Sequence, residues 1–209
     1  MELNLLDAQQ LTELYEGEMV HVFPREELKP LRAMLTLLDR GMYHPLALMD
    51  QGRQLGYALI WTGEDPDYAL LEYLGVMRGL RNGGLGARML ALLGERFPHL
   101  FGEAEAPTDP DPAVNELRRR RLGFYERNGF RILNYECALF GVHFNCLYRG
   151  SETDDQAVLR HHRKVYADYF SPAHMERFIQ LPLHPGEAIH PAPRWLEEDE
   201  TEIFPEENR

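Results

Sequence analysis

The tightest constraint on this 209-residue chain is the run from Leu70 to Ala87, LLEYLGVMRGLRNGGLGA, because its hydrophobic period changes halfway. Leu70 to Met77 reads as an apolar strand. From Gly84 onward Leu85, Met89, Leu92, Leu93 and Phe97 recur at three- and four-residue steps, the period of a helix. Between the two lies Arg78-Gly79-Leu80-Arg81-Asn82-Gly83-Gly84-Leu85-Gly86. Closely spaced glycines allow positive φ and remove side chains that would block a ligand. The first free N–H groups of the helix then point outward at the positive end of its dipole, a seat for a phosphate. A glycine-rich β–α turn with no ligand is the alternative.

Two nucleotide readings fail on spacing. A dinucleotide fingerprint needs glycine or alanine at the last place after Gly84 and Gly86, and that place is Met89. The nucleotide-hydrolase loop needs a Lys followed by Ser or Thr, which this stretch lacks. What remains is Arg81-x-x-Gly84-x-Gly86. A second stretch lies about forty residues on, in Arg118-Arg119-Arg120-Arg121-Leu122-Gly123-Phe124-Tyr125-Glu126-Arg127-Asn128-Gly129-Phe130. Asp111-Pro112 starts its helix and Gly129 stops it.

The first motif resembles the pyrophosphate loop of the GNAT superfamily of coenzyme A-dependent N-acyltransferases, Arg/Gln-x-x-Gly-x-Gly/Ala. The second, aromatic-Tyr-x-x-Asn-Gly-Phe at a helix end, resembles the motif that sets a tyrosine beside the coenzyme A sulfur. The likeness covers roughly residues 68–131, with the element order agreeing outside it. It implies an α/β (α+β) fold, a mixed, mostly antiparallel sheet flanked by helices. It implies acetyl transfer from acetyl-CoA to a small-molecule or peptide amine, by direct attack in a ternary complex. A non-catalytic acyl-CoA-binding module is the rival reading. Carried over by position, Leu74 and Val76 would pair with the pantetheine amides. Arg81, Gly83, Gly84, Leu85, Gly86 and Ala87 would surround the pyrophosphate. Many members carry an asparagine seven residues before the tyrosine. Here that position is Arg118, a departure that leaves it as the cofactor contact expected from this helix.

The chemistry needs a proton removed from the amine and a proton offered to the leaving thiolate. A phenol of pKa about 10 beside a thiol of pKa about 8.5 can supply the second, which is the role implied for Tyr125. A core tyrosine at a helix end is the alternative. For the first, Glu72 lies inside an otherwise apolar strand, where a carboxylate is costly unless paired or functional. Glu105 lies on the neighbouring strand. Either can serve as base, directly or through water, and either can instead form an ion pair with a helix arginine.

In chain order, a short strand is expected near Leu3–Leu5 and a helix from Asp7 to about Tyr15. A second helix is expected from Pro24 to near Arg40-Gly41, with Leu28, Leu31, Leu35 and Leu38 as its stripe and Arg25, Lys29 and Arg32 on its solvated face. His44–Met49 and Gln54–Trp61 read as a hairpin about Asp50-Gln51-Gly52-Arg53. Strands follow at His99–Ala106, Arg131–Phe140 and Val142–Arg149. Residues 1–150 make the acyltransferase domain. Residues 151–209 add a helix over Asp154–Phe170 and then a Pro/Glu-rich acidic extension. Trp195, Ile203 and Phe204 would dock that extension on the domain or on a second copy of the chain.

The net charge of −12 argues against nucleic-acid binding, and the arginine run disperses around its helix. It permits a cationic acceptor. Cys137 and Cys146 make no disulfide framework, so a reducing cytoplasm is expected. The histidines show no metal-ligand spacing, and His161 and His162 point to different sides. No long apolar segment reads as membrane-spanning, and Met1-Glu2-Leu3-Asn4 lacks the basic start of a secretory signal.

Overall fold

Residues 1–80 and 83–192 are described in the computed structural model, apart from the side chain of Glu26. Arg81, expected at the pyrophosphate, and the acidic stretch with Trp195, Ile203 and Phe204 lie outside the described residues.

Eight strands form one sheet: β1 (Glu2–Leu5), β2 (Tyr43–Asp50), β3 (Arg53–Trp61), β4 (Tyr68–Val76), β5 (His99–Glu105), β6 (Arg131–Leu139), β7 (Val142–Arg149) and β8 (Ile179–Leu183). Their order is β1-β2-β3-β4-β5-β7-β6-β8, and only β4 and β5 run parallel. This is the mixed, mostly antiparallel sheet expected. Among the described residues six α-helices flank it: α1 (Ala8–Gly17), α2 (Leu31–Asp39), α3 (Leu85–Arg96), α4 (Pro112–Arg127), α5 (Asp155–Ala167) and α6 (Pro172–Phe178). The capping sequences work locally. The Asp7 carboxylate accepts from the Gln10 N–H in a capping box, and Asp111 accepts from the Ala113 N–H ahead of Pro112.

The apolar core divides by sheet face. Leu90 and Leu93 of α3 and Leu122 of α4 pack with Ala69, Leu71 and Leu100 on one side. Leu11, Met34, Leu37, Val158 and Phe178, from α1, α2, α5 and α6, pack with Leu70, Tyr73 and Phe101 on the other.

Two departures from the sequence reading matter for the site. The second helix is not continuous. A 3₁₀ turn at Arg25–Glu27 is followed by extended Leu28, and α2 begins only at Leu31. Pro30 is the cause, because it lacks an N–H and disfavours helix at the preceding residue. Lys29, expected on a solvated face, is consequently buried. Ala33, Met34 and Leu37 are the fully buried positions of α2, while Leu31, Leu35 and Leu38 of the expected stripe pack partly buried against the same core and Leu28 is buried just ahead of the helix. The second departure is at the chain's far end, where α6 and β8 have no counterpart in the sequence reading. β8 joins the sheet antiparallel to β6, at its outer edge, where Pro182 has no ladder hydrogen bond to forfeit.

Candidate active site

β4 and β5 pair only over Tyr68–Leu71 and His99–Gly102. Beyond that point β4 continues to Val76 beside β3, while β5 continues to Glu105 beside β7. The sheet therefore splits, and the inner edges of both strands face a cleft of about 1060 Å³. From β4, Glu72, Leu74 and Val76 line it, and from β5, Glu103 and Glu105. The split is open through the sheet. Gly84 to Ala87, Phe124 and Tyr125 line it from the α3–α4 side, whereas Lys29, Trp61 and Tyr166 line it from the other.

The α3 end of the cleft is built from glycine. Gly84 caps α3 in the left-handed conformation, φ 73°, and a Cβ there would meet nothing within 4 Å. The space beside it is open for a ligand. Gly86 has another reason to be small, because a Cβ would come within 3.2 Å of the Phe124 ring and push α3 from α4. Gly83, Leu85 and Ala87 complete the turn, and Leu85 packs toward Leu48 and Met89.

Tyr125 lies near the end of α4, edge-on to Phe124 and Phe130 with ring centroids 5.4 Å away in each case. Its phenol has no hydrogen-bond partner among the described residues. Burial raises its pKa, partly opposed by the Arg121 guanidinium, so the group stays a phenol at neutral pH. Arg118 does not line the cleft. It bonds Glu105 Oε1 at 2.6 Å and the Ala106 carbonyl at 3.1 Å, while Arg121 holds Glu105 Oε2 at 2.8 Å. Of the two uses left open for Glu105, the geometry displays the ion pair. From α4 the cleft instead receives Arg121, Phe124, Tyr125 and Arg127, with Asn128 just beyond.

Glu72 lies on the same face as Leu70, two residues before it, and a β-bulge brings Tyr73 to that face as well. Leu71 pairs with Ile60 and Tyr73 with Leu59, so Glu72 is the extra residue of the bulge. There Lys29 Nζ lies 2.7 Å from its Oε1, and the Tyr43 hydroxyl donates to its Oε2. Lys29 also sits over the Trp61 ring, 3.7 Å from the centroid. The Tyr73 hydroxyl accepts from the Lys29 backbone N–H and donates to the Glu27 carbonyl, each at 2.8 Å, which fixes the extended segment. Burial lowers the Lys29 pKa and the Glu72 carboxylate opposes that fall.

Sequence reasoning missed a third carboxylate, Glu103, although its alternation with Phe101 and Glu105 is visible in the sequence. The Tyr166 hydroxyl reaches both Glu103 oxygens, at 2.7 and 2.8 Å, and His162 Nε2 lies 2.9 Å from Oε1. His162 is wholly buried and stacks on Phe101. Burial alone would lower its pKa, but the Cys146 thiol and the Glu103 carboxylate outweigh that and hold it up to about 9. Because this lies above the free value of 6.5, the stability it contributes is complete below pH 6.5 and is lost as pH rises through about 9. Urea midpoints should therefore converge between wild type and His162→Gln across that window. A gap independent of pH would mean a neutral folded imidazole.

Comparison with known proteins places this architecture. The family model for the acetyltransferase (GNAT) family matches residues 8–130. The chain belongs to that family. "Putative acetyltransferase YjbC" of Bacillus subtilis (strain 168) is 31% identical over 111 residues, 52% of each protein, so the match spans about half the relative's length. A GNAT-family protein from Bacteroides thetaiotaomicron superposes with TM-score 0.67 at 22% identity, over 80% of this chain and 97% of its own. Aminoglycoside acetyltransferase AAC(6')-Ib, solved with coenzyme A and kanamycin, superposes with TM-score 0.51 at 18% identity, over 76% and 97%. At these identities the two structures bear on the fold alone. Among the described residues no helix is long and apolar enough to cross a membrane.

Proposed function

We propose that the chain transfers an acetyl group from acetyl-CoA to a primary amine within a ternary complex. One observation carries the reading: the β4–β5 split, the glycine-capped start of α3 and the unpartnered Tyr125 phenol open on one cleft. Acetyl-CoA would enter from the α3–α4 side, with Leu74 and Val76 along its pantetheine and residues 83–87 at its phosphates. The helix N–H groups and the open space beside Gly84 suit that anion. The amine lone pair attacks the thioester carbon, so a C–N bond forms as the C–S bond breaks. The sulfur takes the Tyr125 proton, the surplus amine proton passes to Glu72 or Glu105, directly or through water, and on to solvent, and a solvent proton restores the Tyr125 phenol before the next turnover.

A second reading, a module that holds acyl-CoA without turnover, has one observation in its favour. Glu72, Glu103 and Glu105 are each already engaged by at least two donors. Calorimetric titration with coenzyme A, together with thiol release over an amine panel, separates the two. The transferase reading expects both binding and turnover. Gly84→Ala should weaken coenzyme A at least about tenfold, since its methyl enters the anion seat, while the left-handed strain costs about 1 kcal/mol of stability. Retention of coenzyme A with no thiol release from any amine would leave the binding module.

A further inference from the structure

The α2-side wall of the cleft bears on the identity of the acceptor. Among the described residues, four glutamates line the cleft. Three of them are already matched to cations: Glu72 to Lys29, Glu103 to His162, and Glu105 to Arg118 and Arg121. Lys29, Arg121 and Arg127 also line the cleft themselves. An acceptor with several ammonium groups would bring charges into a lining whose carboxylates are largely satisfied. Each ammonium without a partner carries its full desolvation penalty. Among the described residues, the carboxylates at the place where an acceptor would sit are thus mostly committed to cations of the protein itself.

The rest of that wall is apolar, aliphatic at Val22, Pro24, Leu28, Leu139 and Val142 and aromatic elsewhere. Phe23 packs edge-on to Tyr73 at 5.0 Å, and Phe140, Phe144 and Tyr166 line the same space. Phe140 and Gly141, φ 49° and 83°, are the two central residues of the hairpin turn between β6 and β7, a turn that requires positive φ at both. The Phe140 ring stacks on Phe178 at 5.4 Å.

We propose, on the footing of the transferase reading, that the acceptor is a monoamine carried on an aromatic body, an arylalkylamine, and that the cleft discriminates against polycationic amines such as aminoglycosides. The aromatic body would lie among Phe23, Phe140, Phe144 and Tyr166, with its amine toward the split in the sheet.

The test compares phenethylamine, ethylamine and kanamycin, each with acetyl-CoA, by thiol release and product mass. Phenethylamine should exceed both others in kcat/KM by at least about tenfold, as expected when a ring is buried rather than left in water. Phe144→Ala should raise the KM for phenethylamine several-fold without moving that for acetyl-CoA. Higher kcat/KM for kanamycin, or equal values for ethylamine and phenethylamine, would overturn the assignment while sparing the transferase reading. If no amine is turned over, the transferase reading fails, and calorimetry on the coenzyme A-loaded protein then reads the preference of the cleft for aromatic monoamines by itself. Tighter binding of phenethylamine then supports that preference. Tighter binding of kanamycin, or no binding of either, overturns it.

Discussion

Tyr125→Phe should lower kcat by about a hundredfold while leaving the Kd for coenzyme A within about twofold, the signature of a lost proton donor rather than a lost contact. The substitution removes one oxygen and keeps the ring, so the edge-on packing against Phe124 and Phe130 survives. No protein hydrogen bond among the described residues is broken, and stability should hardly move. The phenol's pKa is raised by burial, so the proton is present across the neutral range and the loss should not be rescued by lowering the pH. Stopped-flow single turnovers, with binding measured separately by calorimetry, read the two quantities independently. An unchanged rate would remove Tyr125 from the chemistry and leave it a packing residue at the end of α4.

How far the site is legible in the sequence depends on how local each cause is. The turn between β4 and α3 is legible because the change of period and the glycines lie within one short segment. The ends of α1 and α4 are legible for the same reason, since Asp7 and Asp111 cap through neighbours in sequence. The Glu72 environment is not. Its carboxylate meets Lys29 and Tyr43, which come from a loop and from β2 and reach it only once the sheet and α2 are assembled. The break at Pro30 is present in the sequence, but the apolar spacing of Leu28, Leu31, Leu35 and Leu38 hides it. Burial of His162 is equally nonlocal, because α5 must first lie against β5 before Glu103 can reach it. β8 is five residues long, contains a proline and pairs with a strand some forty residues earlier, so no local signal marks it.

The Lys29–Glu72 pair gives the largest expected effect on stability. Lys29→Met removes the cation but leaves the Glu72 carboxylate beside Tyr43 and Trp61, where water reaches only part of it. Removing one partner of a buried pair typically costs about 3–5 kcal/mol, mostly the penalty of the charge left behind. Glu72→Gln should cost less, because the amide stays neutral and its oxygen can still accept from Tyr43 or Lys29. The double variant Lys29→Met/Glu72→Leu should recover most of the loss, since two apolar side chains of similar volume replace two desolvated ions. The urea midpoints of wild type, Lys29→Met, Glu72→Leu and the double variant form a double-mutant cycle whose coupling term isolates the pair. A strongly destabilised Lys29→Met with a recovered double variant would show that the bulge at Glu72 keeps a charge at the split that packing alone would replace with a hydrophobe. Additive effects would instead mean that Lys29 acts through its cover over Trp61, and that Glu72 is solvated well enough to stand without it.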